Sequence, residues 1–496
     1  MKQPPSPSWA APSWPREIVP LPLDERLRPL HPRRLVERRP GQAFFVAPAS
    51  CTLRPDLIAH LLPALASRPD VGVFYGDDAV LTRNGHLKAV HCKPAFNPAL
   101  LMADDYVGFP LLIRASALAG AAPEFGLLNG SAAWFRFLLA ALSAGTSIDR
   151  IPQTLIATPG IRPQAKPRAR AAALNAWFKG LGTPLKVGPG LTPGTLELKR
   201  ILADPPPVTL VVPTRQSRAE GAQAPHIVNL LDSLRRSTYP ANRIRVLIGD
   251  DAEDDAIYRG RSDAFSVTRI DTRRPAGVPF NYAAKMNRLW RAAETDVMVL
   301  MNDDLVVGSP GWLEALLTFA LDRGVGGVGG RLLFPSGRLQ HAGMFGGIYD
   351  VAAHPWYDHD AQAPTYDDWA LTQRDCSMVT GALFATRRAA MEAVDGFDES
   401  FSLDFNDVDL CLKMRMQGYR IVYTPFAEMV HHEKASRQAN VAPGAQVSRF
   451  LRRWRDVLGD DPMYSPQLRI DTDVVAPRRE ATQWIPHSVP AAEGAG

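Results

Sequence analysis

Residues 295–320 read TDVMVLMNDDLVVGSPGWLEALLTFA. An apolar run predicts a buried strand, the strand ends in Asn302, Asp303 and Asp304, and a proline-led helix follows. A strand that delivers polar groups at its end before turning into a helix is the building unit of a parallel sheet, with ligand groups at the strand ends. Upstream, VTLVVPT (208–214) reads as another buried strand, HIVNLLDSLRRSTYP (226–240) as a helix and RIRVLIGDD (243–251) as a second strand, a β-α-β start. The fold class is α/β.

The chain of 496 residues is long enough for two or three domains, and its 46% hydrophobic content is that of a globular protein. A formal charge of +5 is small for this length, and Lys and Arg are dispersed. That balance suits acidic ligands without calling for nucleic acid, and no basic-aromatic nucleic-acid motif is present. Cys51, Cys92, Cys376 and Cys411 lie far apart with no C-x-x-C pair, which argues against a zinc knuckle or a disulfide framework and for a reducing, cytoplasmic setting. MKQPPSPSWAAPSWPRE at the N-terminus has no apolar signal core, and no run of uncharged apolar residues is long enough to span a membrane.

Composition divides the chain. Residues 1–40, rich in Pro and Arg and without periodicity, are expected to be a disordered arm, with folding beginning near Phe44. Residues 41–165 alternate strands and helices, 166–205 suggest a basic helix and a Pro/Gly-rich linker, 206–468 form the second domain, and 469–496 are expected to be a disordered tail. Sliding the chain against itself aligns YVGFPLLIRASALAG at 106 with VTGALFATRRAAMEA at 379. One constant shift sets Gly108 on Gly381, Arg114 on Arg387, Gly145 on Gly418, Ile148 on Ile421 and Pro152 on Pro425. This reads as a degenerate half-repeat. Asp407 falls on Trp134, Asp409 on Arg136 and His431 on Thr158, while pairing Pro55 with Pro310 sets Asn302-Asp303-Asp304 against Ala47-Pro48-Ala49. Carboxylates needed only to hold the fold should have survived in both copies, so their loss from the first points to chemistry for Asp304, Asp407 and His431.

FSLDFNDVDLCLKMRMQGYR (401–420) places Asp404, Asp407 and Asp409 at the start of a helix. Asn406 reads as its N-cap, Asp409 as the third-position acid of a capping box, and Gly418 as its stop. Asp303 and Asp304 have the residue type that coordinates a hard divalent cation, although an acidic turn after a strand is also commonly just solvated. IGDDAEDD (248–255) is a second acidic strand end, suited to a nucleobase or ribose, with Asp250 first off the strand and a solvated loop as the alternative. In MVHHEKASR (429–437) a neutral imidazole is a nitrogen ligand for the same cation, and strand alternation allows only one of His431 and His432 to face it. Lys434 and Arg437 nearby suit a diphosphate.

Taken in order, VVPT, IGDDAED, FNYAAKMNR, VLMNDDLVVGSPGWLEALL, RLLFPSGRLQHAG, VTGALFATRR, GFDESFSLDFNDVDLCLKMRMQGYRIVYTPFAEMVHHEKASR and RRWRDVLGDDPMYSPQL resemble a family 2, GT-A-type glycosyltransferase of the rhamnosyltransferase-like subgroup that serves O-antigen and cell-wall polysaccharide. The resemblance covers about 206–468. It implies a GT-A, Rossmann-like nucleotide-diphospho-sugar transferase domain, preceded at 41–165 by a degenerate partial GT-A-like unit whose recognisable piece is FYGDDAVLTRNGHLKAVHCKPAFNPALL. It also implies that Thr214, Asp250, Asn302 and Asp303 bind the nucleotide sugar, that Asp304 and His431 bind Mg²⁺ or Mn²⁺, and that Asp407 is the general base. The implied reaction is inverting transfer from a nucleoside-diphosphate sugar to a hydroxyl of a saccharide or lipid-linked acceptor. The sequence departs from the family pattern in PTRQ, where the usual Asn is unclear, and at Asn406, which replaces the commoner Glu.

Asp77 and Asp78 align with neither acidic strand end and are not expected to form a second site. A glycoside hydrolase using Asp404 and Asp407, a sugar nucleotidyltransferase and a non-catalytic polysaccharide-assembly partner are the competing readings. SRFLRRWRDVLG (448–459) is expected to close the domain as an amphipathic helix, with peripheral contact to an acidic membrane face as the alternative.

Overall fold

The computed structural model describes residues 9, 13–30, 41–120, 132–432 and 444–485. The first sheet contains β1 (Ile18–Leu23), β2 (Ala43–Pro48), β3 (Thr52–Leu53), β4 (Val71–Leu81), β5 (Leu87–His91), β6 (Leu111–Arg114) and β7 (Ser147–Pro159). Its order is β1-β2-β6-β4-β7-β3, with β5 on β4. A hairpin, β8 (Leu185–Pro189) and β9 (Leu196–Arg200), lies between this sheet and the next. The second sheet is built from β10 (Val208–Thr214), β11 (Ile244–Asp250), β12 (Ser266–Asp271), β13 (Val297–Met301), β14 (Leu305–Val307), β15 (Val325–Leu333), β16 (Leu339–His341), β19 (Arg374–Cys376), β20 (Leu383–Arg387) and β21 (Arg420–His431). The short ribbon β17 (Phe345–Gly346) with β18 (Ala352–Ala353) stands apart. The order of the second sheet is β12-β11-β10-β13-β20-β15-β21-β14, with β16 on β15 and β19 on β21.

The helices are α1 (Leu57–Ser67), α2 (Pro98–Ala103), α3 (Ala115–Gly120), α4 (Ala132–Ser143), α5 (Pro167–Gly180), α6 (His226–Leu234), α7 (Tyr282–Ala292), α8 (Trp312–Ala320), α9 (Arg388–Ala393), α10 (Asn406–Met416) and α11 (Gly444–Gly459). Every residue of β10 and β13 is buried, as the uninterrupted apolar runs require of strands covered on both faces. Helix α7 packs on β10 and β11, and α8 packs on β15 and β21.

Six strands of the two sheets follow one plan, β1-β2-β6-β4-β7-β3 against β10-β13-β20-β15-β21-β14. The senses agree too. β1 is parallel to β2 as β10 is to β13, β2 is antiparallel to β6 as β13 is to β20, and β4 is parallel to β7 as β15 is to β21. Val46 faces Leu111 and Leu300 faces Phe384, so the sheet register sets Pro48, Ala49 and Ser50 against Asn302, Asp303 and Asp304. That is one residue along from the alignment on Pro55 and Pro310, and still without an acid. Trp134, the counterpart of Asp407, is a buried core residue whose indole donates to the Leu27 carbonyl at 3.0 Å. Among the described residues, strands β11 and β12, which carry the second acidic strand end, have no counterpart in the first sheet.

Three sequence expectations change. The Pro/Arg-rich arm contributes β1, which pairs parallel to β2 from Ile18↔Ala43 to Leu23↔Pro48, so the fold begins before Phe44. An edge strand tolerates Pro20 and Pro22, and those prolines hid it from a reading by periodicity. In the 166–205 segment the expected basic helix is α5, and the expected linker is the docked hairpin β8–β9. Arg170 is buried against Asp104 at 3.1 Å, and the Leu198 amide donates to Gln373 Oε1 at 2.7 Å. The tail buries Val475, Ala481 and Ile485, and Gln467, just before it, donates to the Pro152 carbonyl at 3.1 Å.

The two units are joined by paired polar contacts. Asn97 donates to the Asp375 carbonyl (2.8 Å) and accepts the Asp375 amide (2.9 Å), while His91 Nδ1 stands 2.7 Å from Asp367 Oδ1. Among the described residues no helix is long and apolar enough to cross a membrane.

Candidate active site

A cavity of about 660 Å³ opens where the ends of β10 and β13 meet α10 and the end of β21. Thr214, Asn302, Asp303, Asp304, Asp407 and His431 all line it.

The centre is the turn between β13 and β14. Thr214, at the end of neighbouring β10, donates its hydroxyl to Asp303 Oδ2 at 2.5 Å. Burial pushes the Asp303 carboxyl up to about 7; Thr214 opposes this, and the adjacent Asp304 adds to it. Asp304 is 8% exposed. Burial pushes its carboxyl up, but His431 and His226 beside it, together with a backbone amide, hold it below the usual carboxylate range. Asp304 Oδ1 is buried and lies 3.0 Å from His431 Nε2, an ion pair when the imidazole carries its second proton.

His431 ends β21, opposite Leu305 of β14. Its Nδ1 is 2.7 Å from Gln340 Oε1. The His432 ring packs beside His226, with centroids 5.7 Å apart and the rings tilted, as strand alternation allows. The other wall of the centre is held by Lys285 of α7, which donates to the Thr214 carbonyl and pairs with Asp251 Oδ1, both at 2.9 Å. Burial pulls the Lys285 ammonium below its usual range, and Asp251 counteracts it.

Asp407 sits in the first turn of α10, and both carboxylate oxygens are oriented by backbone amides. Oδ2 accepts from Gly381 at 2.8 Å and Oδ1 from Val408 at 2.9 Å. Gly381 makes this seat: a Cβ built there would lie 3.1 Å from the Asp407 Cβ.

Three residues, Asp250, Asp409 and Asn406, are not placed as the sequence predicts. Asp250 is fully buried, and its carboxylate accepts hydrogen bonds from Gln216 (2.9 Å), Tyr258 (2.8 Å), Arg269 (3.3 Å) and the Ala252 amide (2.9 Å). Asp251, one residue on, faces the cavity instead. The cause is the turn that follows the pairing of Asp250 with Thr214, since adjacent side chains leaving a strand point opposite ways.

Asp409 makes no capping box, and Asn406 is no N-cap. Phe405, with φ 63°, occupies the cap position, and the Asn406 side-chain Nδ2 donates to the Leu403 carbonyl at 2.6 Å. Asp409 is fully buried and turned to α11, where its Oδ1 accepts the Trp454 indole N–H at 2.8 Å and lies 3.1 Å from Arg453. Phe405 stacks on Phe450 of the same helix, with centroids 4.6 Å apart. The helix that carries Asp407 is thereby held from behind by α11, whose Phe450, Trp454 and Leu458 are buried in the domain. Asp404 lines the cavity. Lys434 and Arg437 lie outside the described residues.

The sequence reading did not single out Lys285, Asp251, Tyr282 or Gln340 as cavity residues. Lys285 and Tyr282 stand in the quoted FNYAAKMNR, and Gln340 in RLLFPSGRLQHAG. A polar residue next to buried apolar positions was the available signal. Asp77 and Asp78, by contrast, are buried structural groups, with Lys93 Nζ 2.9 Å from Asp78 and the Lys93 amide 2.8 Å from Asp77.

The donor chemistry at the centre fits a divalent cation: a buried carboxylate oxygen faces an imidazole nitrogen. Among the described residues no group of three or more His, Cys, Asp or Glu side chains is gathered as a cage.

Residues 205–455 match the family described as "Glycosyltransferase like family 2". The O-antigen biosynthesis protein RfbC of Myxococcus xanthus is 30% identical over 443 residues, covering 85% of this chain and 33% of that protein. The uncharacterized protein y4gI of Sinorhizobium fredii is 29% identical over 445 residues, covering 84% of this chain and 47% of that protein. The N-acetylglucosaminyl-diphospho-decaprenol L-rhamnosyltransferase of Mycobacterium tuberculosis (strain H37Rv) is 27% identical over 232 residues, covering 43% of this chain and 73% of that enzyme. The chain spans less than half the length of RfbC and of y4gI. The family match runs through every strand from β10 to β21, so the chain belongs to glycosyltransferase-like family 2.

Proposed function

We propose that the chain is a metal-dependent, inverting glycosyltransferase that moves a hexose or deoxyhexose from a nucleoside-diphosphate sugar to a hydroxyl of a saccharide or lipid-linked acceptor. The observation that carries the proposal is one cavity lined both by the Asp304–His431 pair and by Asp407, whose carboxylate is oriented by two backbone amides.

Thr214, Asn302, Asp303 and Asp251 form the nucleotide side. Asp251 takes the place that the sequence reading gave to Asp250, whose carboxylate is spent on the protein itself. Lys285, fixed between Asp251 and Thr214, brings positive charge to the same wall. Asp407 removes the proton of the acceptor hydroxyl as its oxygen attacks the anomeric carbon. The bond from that carbon to the diphosphate breaks on the opposite face, and the sugar configuration inverts. Each Asp407 oxygen has one lone pair taken by an amide and one left to receive the proton. Asp304 and His431 would hold Mg²⁺ or Mn²⁺, which, when bound, neutralises charge developing on the leaving diphosphate.

Support for the acceptor class comes from the relatives' names, O-antigen biosynthesis and L-rhamnosyl transfer to N-acetylglucosaminyl-diphospho-decaprenol. We place the reaction in surface polysaccharide biosynthesis, on the cytoplasmic side, with an acceptor presented at the inner face of the membrane. Any peripheral contact there uses a surface other than the apolar face of α11, which is buried against α10. The test is product analysis with a panel of nucleotide sugars and short saccharide acceptors. Release of a nucleoside diphosphate, an inverted glycosidic product and loss of both on chelation support the reading. Release of pyrophosphate, or chelator-resistant hydrolysis, overturns it.

A further inference from the structure

We propose that Gln340 is a positioning residue of the metal site: its amide oxygen holds the Nδ1–H of His431 and so leaves the Nε2 lone pair turned toward Asp304. The inference rests on the metal-binding part of the function proposed above and adds a residue to it.

Gln340, His431 and Asp304 are all buried, at 4%, 7% and 8% exposure, so their polar atoms must satisfy one another or a ligand. An amide oxygen only accepts hydrogen bonds. The imidazole nitrogen 2.7 Å from Gln340 Oε1 therefore carries the proton, and in the neutral ring Nε2 is bare. Nε2 faces Asp304 Oδ1 at 3.0 Å. Asn302 Nδ2 supplies only a long contact to Nε2, at 3.4 Å. Two electron-rich atoms at this separation need a proton or a metal cation between them: a second ring proton makes them an ion pair, and a metal in its place finds both as a ligand pair, with Nδ1–H held by Gln340 in either case.

The degenerate copy supports the coupling. Asp78 pairs with both His91 and Ile156 in the first sheet, and Leu332 pairs with both His341 and Met429 in the second. His91 is thus the counterpart of His341, Val90 stands where Gln340 stands, and Thr158 stands where His431 stands. The copy without the acids has lost the glutamine and its histidine together, while it keeps the histidine next door. A glutamine needed only to pack β16 would not be expected to go with the histidine.

The test uses the full chain, Mn²⁺ alone and the variants Gln340→Leu and Gln340→Glu, at a pH where His431 is neutral. Bound Mn²⁺ is read by electron paramagnetic resonance, and the His431 tautomer by ¹⁵N NMR of the metal-free protein. Gln340→Leu should weaken Mn²⁺ binding about 10- to 100-fold and give a mixture of tautomers. Gln340→Glu, which keeps the acceptor, should restore both the affinity and the single Nδ1–H form. Wild-type affinity in Gln340→Leu, or a wild-type His431 protonated on Nε2, overturns the role of Gln340 alone. A wild-type chain that takes up no Mn²⁺ overturns the metal assignment, and this inference with it.

Discussion

Replacing Asp407 by Asn removes the proposed base and little else. The carboxylate accepts one hydrogen bond on each oxygen, from Gly381 at 2.8 Å and from Val408 at 2.9 Å. Asparagine supplies one acceptor oxygen, so one of these bonds survives and the other is lost, costing about 1 kcal/mol of stability. That cost leaves the domain folded. The catalytic loss is larger. A positioned base contributes about 10²- to 10⁴-fold, which at about 1.36 kcal/mol per decade adds roughly 2.7–5.4 kcal/mol to the barrier. Donor affinity should change less than about threefold, because Thr214, Asp251 and Lys285 form a different wall of the cavity. The assay pairs steady-state transfer rates with calorimetric titration of the nucleotide sugar. Transfer within about tenfold of wild type in a folded Asp407→Asn protein refutes the assignment, as does a parallel collapse of donor binding.

Gly381→Ala places a methyl group 3.1 Å from the Asp407 Cβ and should displace the base. We expect about a tenfold or greater loss of transfer with donor affinity retained, measured in the same pair of assays. Trp454→Phe leaves Asp409 fully buried without the indole donor at 2.8 Å and should lower unfolding free energy by about 1–3 kcal/mol; an unchanged urea midpoint would contradict this. Asp77 tests the first unit. Burial pushes its carboxyl up to about 7, against the lowering effect of Lys93 and Arg150. It therefore holds a proton in the folded chain over a range where the unfolded chain has released it. Its stabilising contribution is full below about pH 4 and is lost as pH rises through about 7. Asp77→Asn should abolish that slope and stabilise the protein at about pH 8 by on the order of 1–4 kcal/mol, read from urea midpoints across pH.

The strands of the second sheet were legible because β10 and β13 are buried on both faces and so read as continuous apolar runs. The repeat was legible because a constant shift kept its glycine and proline positions, and the shared order of six strands follows the same alignment. β1 was hidden because its prolines, Pro20 and Pro22, are tolerated at a sheet edge yet break every pattern by which strands are recognised. In the site, the central acids and His431 could be read because each follows an apolar strand directly. The choice between Asp250 and Asp251 could not, since it depends on a turn that reverses side-chain direction within one residue. Asp409 lies close enough to Asn406 to imitate a capping box, but its partner Trp454 is distant in sequence and belongs to another helix. Gln340 reaches His431 only through the pairing of β16 and β21 with β15, contacts that no local pattern encodes.

On the proposed function, Asp304 makes donor binding depend on a divalent cation. The direct test is calorimetric titration of nucleotide sugars into the wild-type chain and Asp304→Ala, each with and without Mn²⁺. The wild type should bind one donor at least about tenfold more tightly with Mn²⁺, and Asp304→Ala should lose that enhancement while keeping the metal-free affinity. Equal enhancement by Mn²⁺ in both proteins, or tight donor binding in the wild type that ignores the metal, would contradict it.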